Sequence, residues 1–443
     1  MTTSQGSVHI SVPVVGRWDV LVAGAGPAGC TAAAAAARAG RKVLLVEATG
    51  VLGGMGTSGL LPAWCPFSDG ETMIYRGLAE EVFRGACRGV PHIDPKQLDW
   101  VPIDTERLKR VYDDLVCGSG VDLLLQTAIA GVLTDGAGRV MSALLANKSG
   151  LTAVGAEVFV DATGDGDLAV WAGAEWKKGD AAGVMQPVTH CFQLANVDTY
   201  AYLHGGRPWK SALPIEAVVK KYPRVSDLFM CNALVGPGVV GFNTGHQWDV
   251  DGTEPRSVSA ALVEGRKIAG EFLAMFAEYW PAAFAGAFLA ATAPLLGVRE
   301  TRRIMGDHVL TWEDYAARRS FEDEIGRNSY PVDIHTAKDE IGDALSGKLQ
   351  VMERFEQYKP GESHGIPYRT LIPRGLRNVL VAGRCLSSDR PVQASVRVMP
   401  VCLVTGQAAG TAAALACAAG GDVRAVGAVP LREALRKGGA WLP

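Results

Sequence analysis

The stretch that most restricts the fold is "VLVAGAGPAGCTAAAAAARAGRKVLLVE", residues 20–47. Residues 20–23 form a short apolar run ending at Gly24, as expected of a buried parallel strand. Gly24, Gly26 and Gly29 give the spacing G-x-G-x-x-G, and residues 27–39 are mostly alanine, the best helix former. Gly40 is placed to end that helix. A second buried strand, "KVLLVE", closes on Glu47, 21 residues after Gly26. Each part suits a dinucleotide. Gly24 permits a tight turn, Gly26 lets a pyrophosphate approach the backbone, and Gly29 lets helix and strand pack closely. Pro27 and Ala28 open a helix whose free N–H groups face the phosphates, while Glu47 accepts from ribose hydroxyls and disfavours a 2′-phosphate.

The text after Glu47 narrows the choice of dinucleotide. "EATGVLGGMGTSGL" places a Gly53–Gly54 pair six residues beyond the acid, followed by Met55 and Thr57. This layout resembles flavoproteins of the glutathione-reductase-like superfamily, in which such a doublet passes close to the FAD pyrophosphate. The redox cysteine pair of that superfamily's disulfide reductases is replaced here by Met55, Gly56, Thr57 and Ser58, which excludes thiol-relay chemistry at this point.

Two later segments return to the same theme. An apolar run over 156–160 leads into Asp161, Ala162, Thr163 and Gly164, resembling a second FAD-contacting motif. Asp161, Asp165 and Asp167 lack EF-hand spacing and its terminal Glu, so no metal site is expected. The stretch before it alternates like a meander with a turn at 135–138, and the resemblance places the Ala128 backbone at the adenine. Near the C-terminus, "NVLVAGRC" gives a buried strand over 379–382 that meets Gly383 and Arg384. Met399 and Pro400 then start a long helix of small residues, with proline at home in the first turn.

Together with "DATGDGDLA", "DGTEP", "GVRETRRIMGDHVLT", "YPVDIH" and "AGRCLSSD…QASVRVMP…GQAAGTAA", these segments make the chain similar to the FAD-dependent oxidoreductase family of the fumarate-reductase-like flavoproteins. The resemblance implies an α/β fold: a Rossmann-like FAD-binding domain, discontinuous in sequence, with an inserted α+β substrate domain. The expected parts are 1–180 and 291–443 for the FAD domain and 181–290 for the insertion, the latter ending in a Trp/Phe-rich helix up to Ala293. A polar excursion over about 318–362 is expected as a lid or subunit contact.

Bulk properties set the setting. With 48% apolar and 20% charged residues, the 443-residue chain can bury a large core. A net charge of −3 with no long basic run gives no footprint for nucleic acid or a membrane surface. Nine scattered cysteines without a CxxC read as reduced thiols, and the N-terminus lacks the pattern of a signal peptide, so a cytoplasmic setting is expected. The apolar window over 401–419 contains Gln407 and reads as a buried helix. A homodimer is the commonest assembly for such a protein.

Flavin redox chemistry on a small organic molecule needs hydride exchange at N5 and usually a group that handles the substrate proton. His246, His335 and His364 are the candidates, the last two in blocks expected to border the flavin; His190 and His308 read as structural. Arg299, Arg302 and Arg303 are spaced i, i+3, i+4, as on one helical face. Arg299 and Arg302 are candidates to anchor or protonate an anionic substrate, as the resemblance implies; Glu300 and Asp307 offer a structural ion-pair network instead. Cys65 and Cys385 lie in no tethering motif, so FAD is expected to be held non-covalently. No second nucleotide-binding glycine motif marks the electron partner. Two other readings stay open: NAD bound as a reactant on the same fold, or a flavin-holding scaffold for a macromolecule.

Overall fold

The computed structural model describes residues 11–205, 215–225, 230–335, 337–340 and 355–443. The central part of the polar excursion, 341–354, therefore lies outside the described residues.

Among the described residues the main sheet has seven strands. β1 (Val14–Ala23) pairs in parallel with β2 (Val43–Val46) on one side and with β6 (Gly150–Asp161) on the other. β3 (Asp122–Leu124) extends the sheet beyond β2. The long β6 shares its far side between two partners. Its first half pairs antiparallel with β5 (Val140–Asn147), itself paired with β4 (Ala128–Thr134), and its last residues pair in parallel with the return strand Val379–Val381.

The buried strands divide their side chains between two faces by the two-residue period. Val20, Val22, Val158, Val160 and Leu380 join one core, while Leu21, Ala23, Phe159, Val379 and Val381 join the other. A one-residue slip would exchange the two sets, so burial on both faces fixes the register.

The first core is roofed by α1 (Pro27–Arg38) and the helix Met399–Ala418. Small residues let them touch backbone to backbone: a Cβ at Gly406 would lie 2.1 Å from the Ala28 carbonyl oxygen, and one at Gly410 2.0 Å from that of Ala32. Thr31 Oγ1 donates to the Leu403 carbonyl at 2.8 Å across the same seam. The Met399–Ala418 helix is long and apolar enough to cross a membrane, but it is packed inside the protein, which accounts for its composition.

A second unit carries a four-stranded antiparallel sheet in the order Met230–Gly236, Val239–Thr244, Phe192–Ala195, Phe288–Thr292. The helix Pro255–Tyr279 packs Phe272 and Phe276 against Phe192 and Phe242 of that sheet. The expected helix up to Ala293 is corrected here: it ends at Tyr279, a short turn of helix covers Pro281–Phe284, and Phe288–Thr292 is a strand. Pro281 forces the break, because it has no N–H to continue the helical ladder.

Candidate active site

The parallel strands end level with one another. Ala23 faces Val46 and Asp161, and Asp161 in turn faces Val381. The segments that follow these ends therefore lie side by side: Gly24 to Gly29, Glu47, Ala162 to Gly164, and Gly383. In open α/β sheets this carboxyl edge is where nucleotides bind.

Local geometry explains the glycines. Gly24 has φ +86°, and a Cβ there would lie 2.7 Å from the Ala162 carbonyl oxygen, so the first turn is packed against the third segment. A Cβ at Gly29 would sit 1.8 Å from the Gly24 carbonyl oxygen. Gly26 differs: a Cβ there would meet nothing within 4 Å. It faces open space in front of α1, whose N-terminus carries no side-chain cap and no acid in its first turn. That cradle, with unshielded N–H groups and room for a ligand, fits a pyrophosphate. A Cβ at Gly54 would come within 3.0 Å of Gly26 Cα, so the doublet borders the same space. The Glu47 carboxylate accepts from the amides of Ala25 at 2.7 Å and Thr49 at 2.7 Å, which holds it at the end of β2. Ala128 begins β4 just after Thr127, whose amide donates to the Glu47 carbonyl at 2.9 Å.

Other predicted cofactor residues have internal partners. Asp161 is fully buried and accepts from the Thr163 amide and hydroxyl and from the Ala169 amide. Burial pushes its carboxyl up to about 6, and these hydrogen bonds offset part of that cost. It shapes the Thr163–Gly164 turn from within. Thr57 donates to the Leu52 carbonyl at 2.6 Å and so ties down the glycine-rich loop. Arg384 pairs with Asp165 at 2.9 Å and donates to Thr301.

From Gly54 the chain leads directly to a second group of residues. A Cβ at Gly56 would be 3.3 Å from Met399 Sδ, and one at Gly297 would be 3.5 Å from Met55 Cε. Gly297 exchanges backbone hydrogen bonds with Thr189, and the Thr189 hydroxyl accepts from Arg299 Nη1 at 2.6 Å. Arg299 is buried, and it also donates to the Pro187 carbonyl at 2.8 Å and to Asn243 Oδ1 at 3.4 Å.

Here two of the predicted histidines meet. The rings of His246 and His335 lie 4.7 Å apart between centroids, edge to face. His335 Nε2 is 3.4 Å from Asp333 Oδ2. Burial alone would raise the Asp333 carboxyl, but His335, Arg397 and Arg299 outweigh it and hold it well below the usual carboxylate range. Tyr330 donates to the same carboxylate at 3.1 Å, and Arg397 Nη2 donates to the Asp333 carbonyl at 3.0 Å. Burial, aided by the Arg299 charge, pushes the His335 imidazole down to about 3, so the ring is neutral near pH 7. The result is a neutral imidazole against a fixed carboxylate, tied through Arg397 to the segment two residues before the uncapped start of the Met399–Ala418 helix.

The remaining candidates lie elsewhere. Arg299, Arg302 and Arg303 share no helical face, because Arg302–Ile304 is a strand paired with Trp176–Lys178. Arg302 pairs with Asp167 at 2.8 Å and Arg303 with Glu300 at 2.7 Å, so both serve ion-pair networks. Asp307 pairs with Arg424. His364 is not brought to the cluster. It sits on the strand His364–Pro367, contacts Tyr358 through Nδ1 and packs near Tyr315, with burial pushing its ring down to about 3. His190 bonds the Ala293 carbonyl and His308 pairs with Asp314. All nine cysteines are free thiols. Asp333, Tyr330 and Arg397 were missed in the sequence, although Asp333 stands two residues before His335 and Arg397 two before Met399.

The sequence matches the profile of the family "FAD dependent oxidoreductase" over residues 19–435. The chain belongs to the FAD-dependent oxidoreductase family. It is accordingly an FAD-dependent enzyme of oxidation and reduction. No curated protein sequence matches it. Among solved structures it is similar to a geranylgeranyl bacteriochlorophyll reductase-like protein from Thermoplasma acidophilum, at 15% identity and TM-score 0.47, covering 95% of this chain and 82% of that one. A flavin-dependent brominase aligns at 13% identity and TM-score 0.46, covering 95% and 83%. An aromatic hydroxylase of angucycline biosynthesis aligns at 13% and 0.45, covering 95% and 65%. These likenesses are too distant to carry a substrate or a mechanism.

Proposed function

We propose that the enzyme passes a hydride between a carbon of a small organic substrate and the flavin N5, with His335 and His246 handling the substrate proton. Bound FAD supplies the two-electron centre. The observation that carries this reading is the convergence of His246, His335, Asp333 and Arg299; Arg299 stands two residues along the chain from Gly297, which borders Met55 of the glycine-rich loop. His335, neutral and buried, can accept a hydrogen bond from a substrate hydroxyl or amine and take up that proton as the hydride departs, when the group becomes strongly acidic. Asp333 orients the imidazole through Nε2 and stabilises the imidazolium once it forms, the role of a buried carboxylate behind a catalytic histidine. Arg299 and Arg397 keep that carboxylate ionised. The positive end of the Met399–Ala418 helix follows Arg397 of the same cluster, and it would favour negative charge on a reduced flavin bound in front of it by roughly 0.3–2 kcal/mol. Asn243 comes from the four-stranded antiparallel sheet and His246 from the short strand after it, which pairs with Val188–Thr189; this unit is assigned to substrate binding.

The test is anaerobic flavin bleaching by a reducing substrate, with His335→Asn and His246→Asn. Loss of a general base lowers the rate by about 10²–10⁴-fold, with flavin content unchanged. Bleaching at the wild-type rate in both variants would refute the assignment.

A further inference from the structure

His335 also lines a cleft of about 580 Å³. Its size falls within the roughly 300–1,000 Å³ of small-molecule sites. Three properties of its wall bear on what enters it.

First, its cations are already neutralised. Arg390 is 3.2 Å from Glu300 and 4.0 Å from Asp180, and Lys338 is 2.9 Å from Asp249. Deeper in, Arg397 likewise faces Asp333, and Arg299 spends its guanidinium on the Pro187 carbonyl, the Thr189 hydroxyl and Asn243. An anionic substrate would have to compete with each of these partners. Second, the wall mixes apolar side chains such as Met185 and Ile334 with the hydrogen-bonding Gln186, Asp180, Asp249 and Arg390. An apolar substrate would strip water from these groups without replacing its hydrogen bonds. Third, half-buried Trp248 lines the cleft and is packed edge to face on His246 at 5.7 Å, so one aromatic surface stands next to the proton-handling pair.

We infer that the cleft takes a neutral polyhydroxylated molecule, a sugar or polyol, whose C–H face lies against Trp248 and whose hydroxyls bond the polar wall. This rests on the proton-handling role of His335 and His246. In the oxidation direction a secondary or hemiacetal carbinol loses its O–H proton to imidazole and its C–H hydrogen as hydride to the flavin. The product is the ketone or lactone and the reduced cofactor.

The test is calorimetric titration of the flavin-loaded protein with glucose, xylose, myo-inositol and maltose. Malate, benzylamine and a hydroxysteroid serve as the anionic, cationic and apolar alternatives. At least one polyol is expected to bind saturably, with affinity at least tenfold lower in Trp248→Ala and restored in Trp248→Phe, both variants keeping wild-type flavin content and Tm. Saturable binding confined to malate, benzylamine or the steroid, no binding by any of the four polyols, or polyol binding unchanged in Trp248→Ala would overturn the inference. Should Trp248→Ala fail to fold, protection of Trp248 against mild oxidation by the bound polyol replaces it; absence of protection overturns the inference. The two readings fail separately. A non-polyol that bleaches the flavin in a His335-dependent manner sinks only the substrate class, whereas a polyol that binds but bleaches independently of His335 sinks only the proton-handling role.

Discussion

Three glycines within six residues perform different tasks, and substitution separates them. A methyl group at Gly29 would collide with the Gly24 carbonyl at 1.8 Å, and α1 and β1 cannot part without opening the core they share. Gly29→Ala is therefore expected to destabilise the fold by about 1–3 kcal/mol or more, as overpacking does. Gly26→Ala meets no protein atom and should leave stability within about 0.5 kcal/mol. Its methyl group instead enters the space in front of the helix N-terminus, so FAD affinity should fall at least tenfold. Thermal unfolding of the apoprotein and flavin titration, run on both variants, check the contrast. Equal loss of stability in the two would show that Gly26 is a packing glycine. Asp161→Asn makes a related point. Thr163 and Ala169 donate three hydrogen bonds to this carboxylate, and an amide cannot accept all of them. The variant should lose about 1–3 kcal/mol, the cost of leaving a buried donor unmet.

At the scale of elements, the seam between α1 and the Met399–Ala418 helix joins two pieces of chain more than 350 residues apart in sequence. Gly406→Val would drive a side chain into the Ala28 carbonyl and the Thr31 hydroxyl, displacing the helix whose first residue, Met399, stands beside Gly56. The expected result is lower stability together with weaker flavin retention, read as Tm and as the absorbance ratio of purified protein. Loss of stability with normal flavin retention would uncouple the seam from the cofactor. Both helices and the strands beneath them were legible in the sequence, because glycine spacing, alanine runs and apolar tetrads are local signals. The proton-handling cluster was legible only in pieces. His246 and His335 each drew notice as residue types, but their approach to 4.7 Å depends on long-range pairing, His246 being held opposite Thr189. Asp333 acquires its meaning from Arg397 and Arg299, neither adjacent in sequence. The arginine segment shows the converse failure. Its i, i+3, i+4 spacing suits a helix, yet Val298, Thr301 and Ile304 make it at home in extended chain, and pairing with Trp176–Lys178 decides the matter.

The whole molecule combines buried groups of opposite effect on its response to acid. His335 and His364 have native values near 3, far below the 6.5 of an unfolded chain. Below about pH 6.5 the unfolded state takes up these two protons and the native state does not, so their contribution is complete above 6.5 and lost as pH falls towards 3. Asp161 runs the other way. Its native value near 6 exceeds the unfolded 3.8, so the native state takes up a proton first and gains stability as pH falls through 6. Between pH 6 and 4 these three groups leave the unfolded state ahead by one proton, equivalent to a loss of about 1.4 kcal/mol per pH unit. His364 lies outside the catalytic cluster, which makes it the group to remove. His364→Asn should cancel that difference and flatten the decline in unfolding free energy between pH 6 and 4 by about 1.4 kcal/mol per unit relative to wild type. Denaturant titrations of both proteins at pH 6, 5 and 4 measure the two slopes. Parallel slopes would mean that His364 is protonated in the folded enzyme, and with it that the aromatic pocket of Tyr315 and Tyr358 admits a charge.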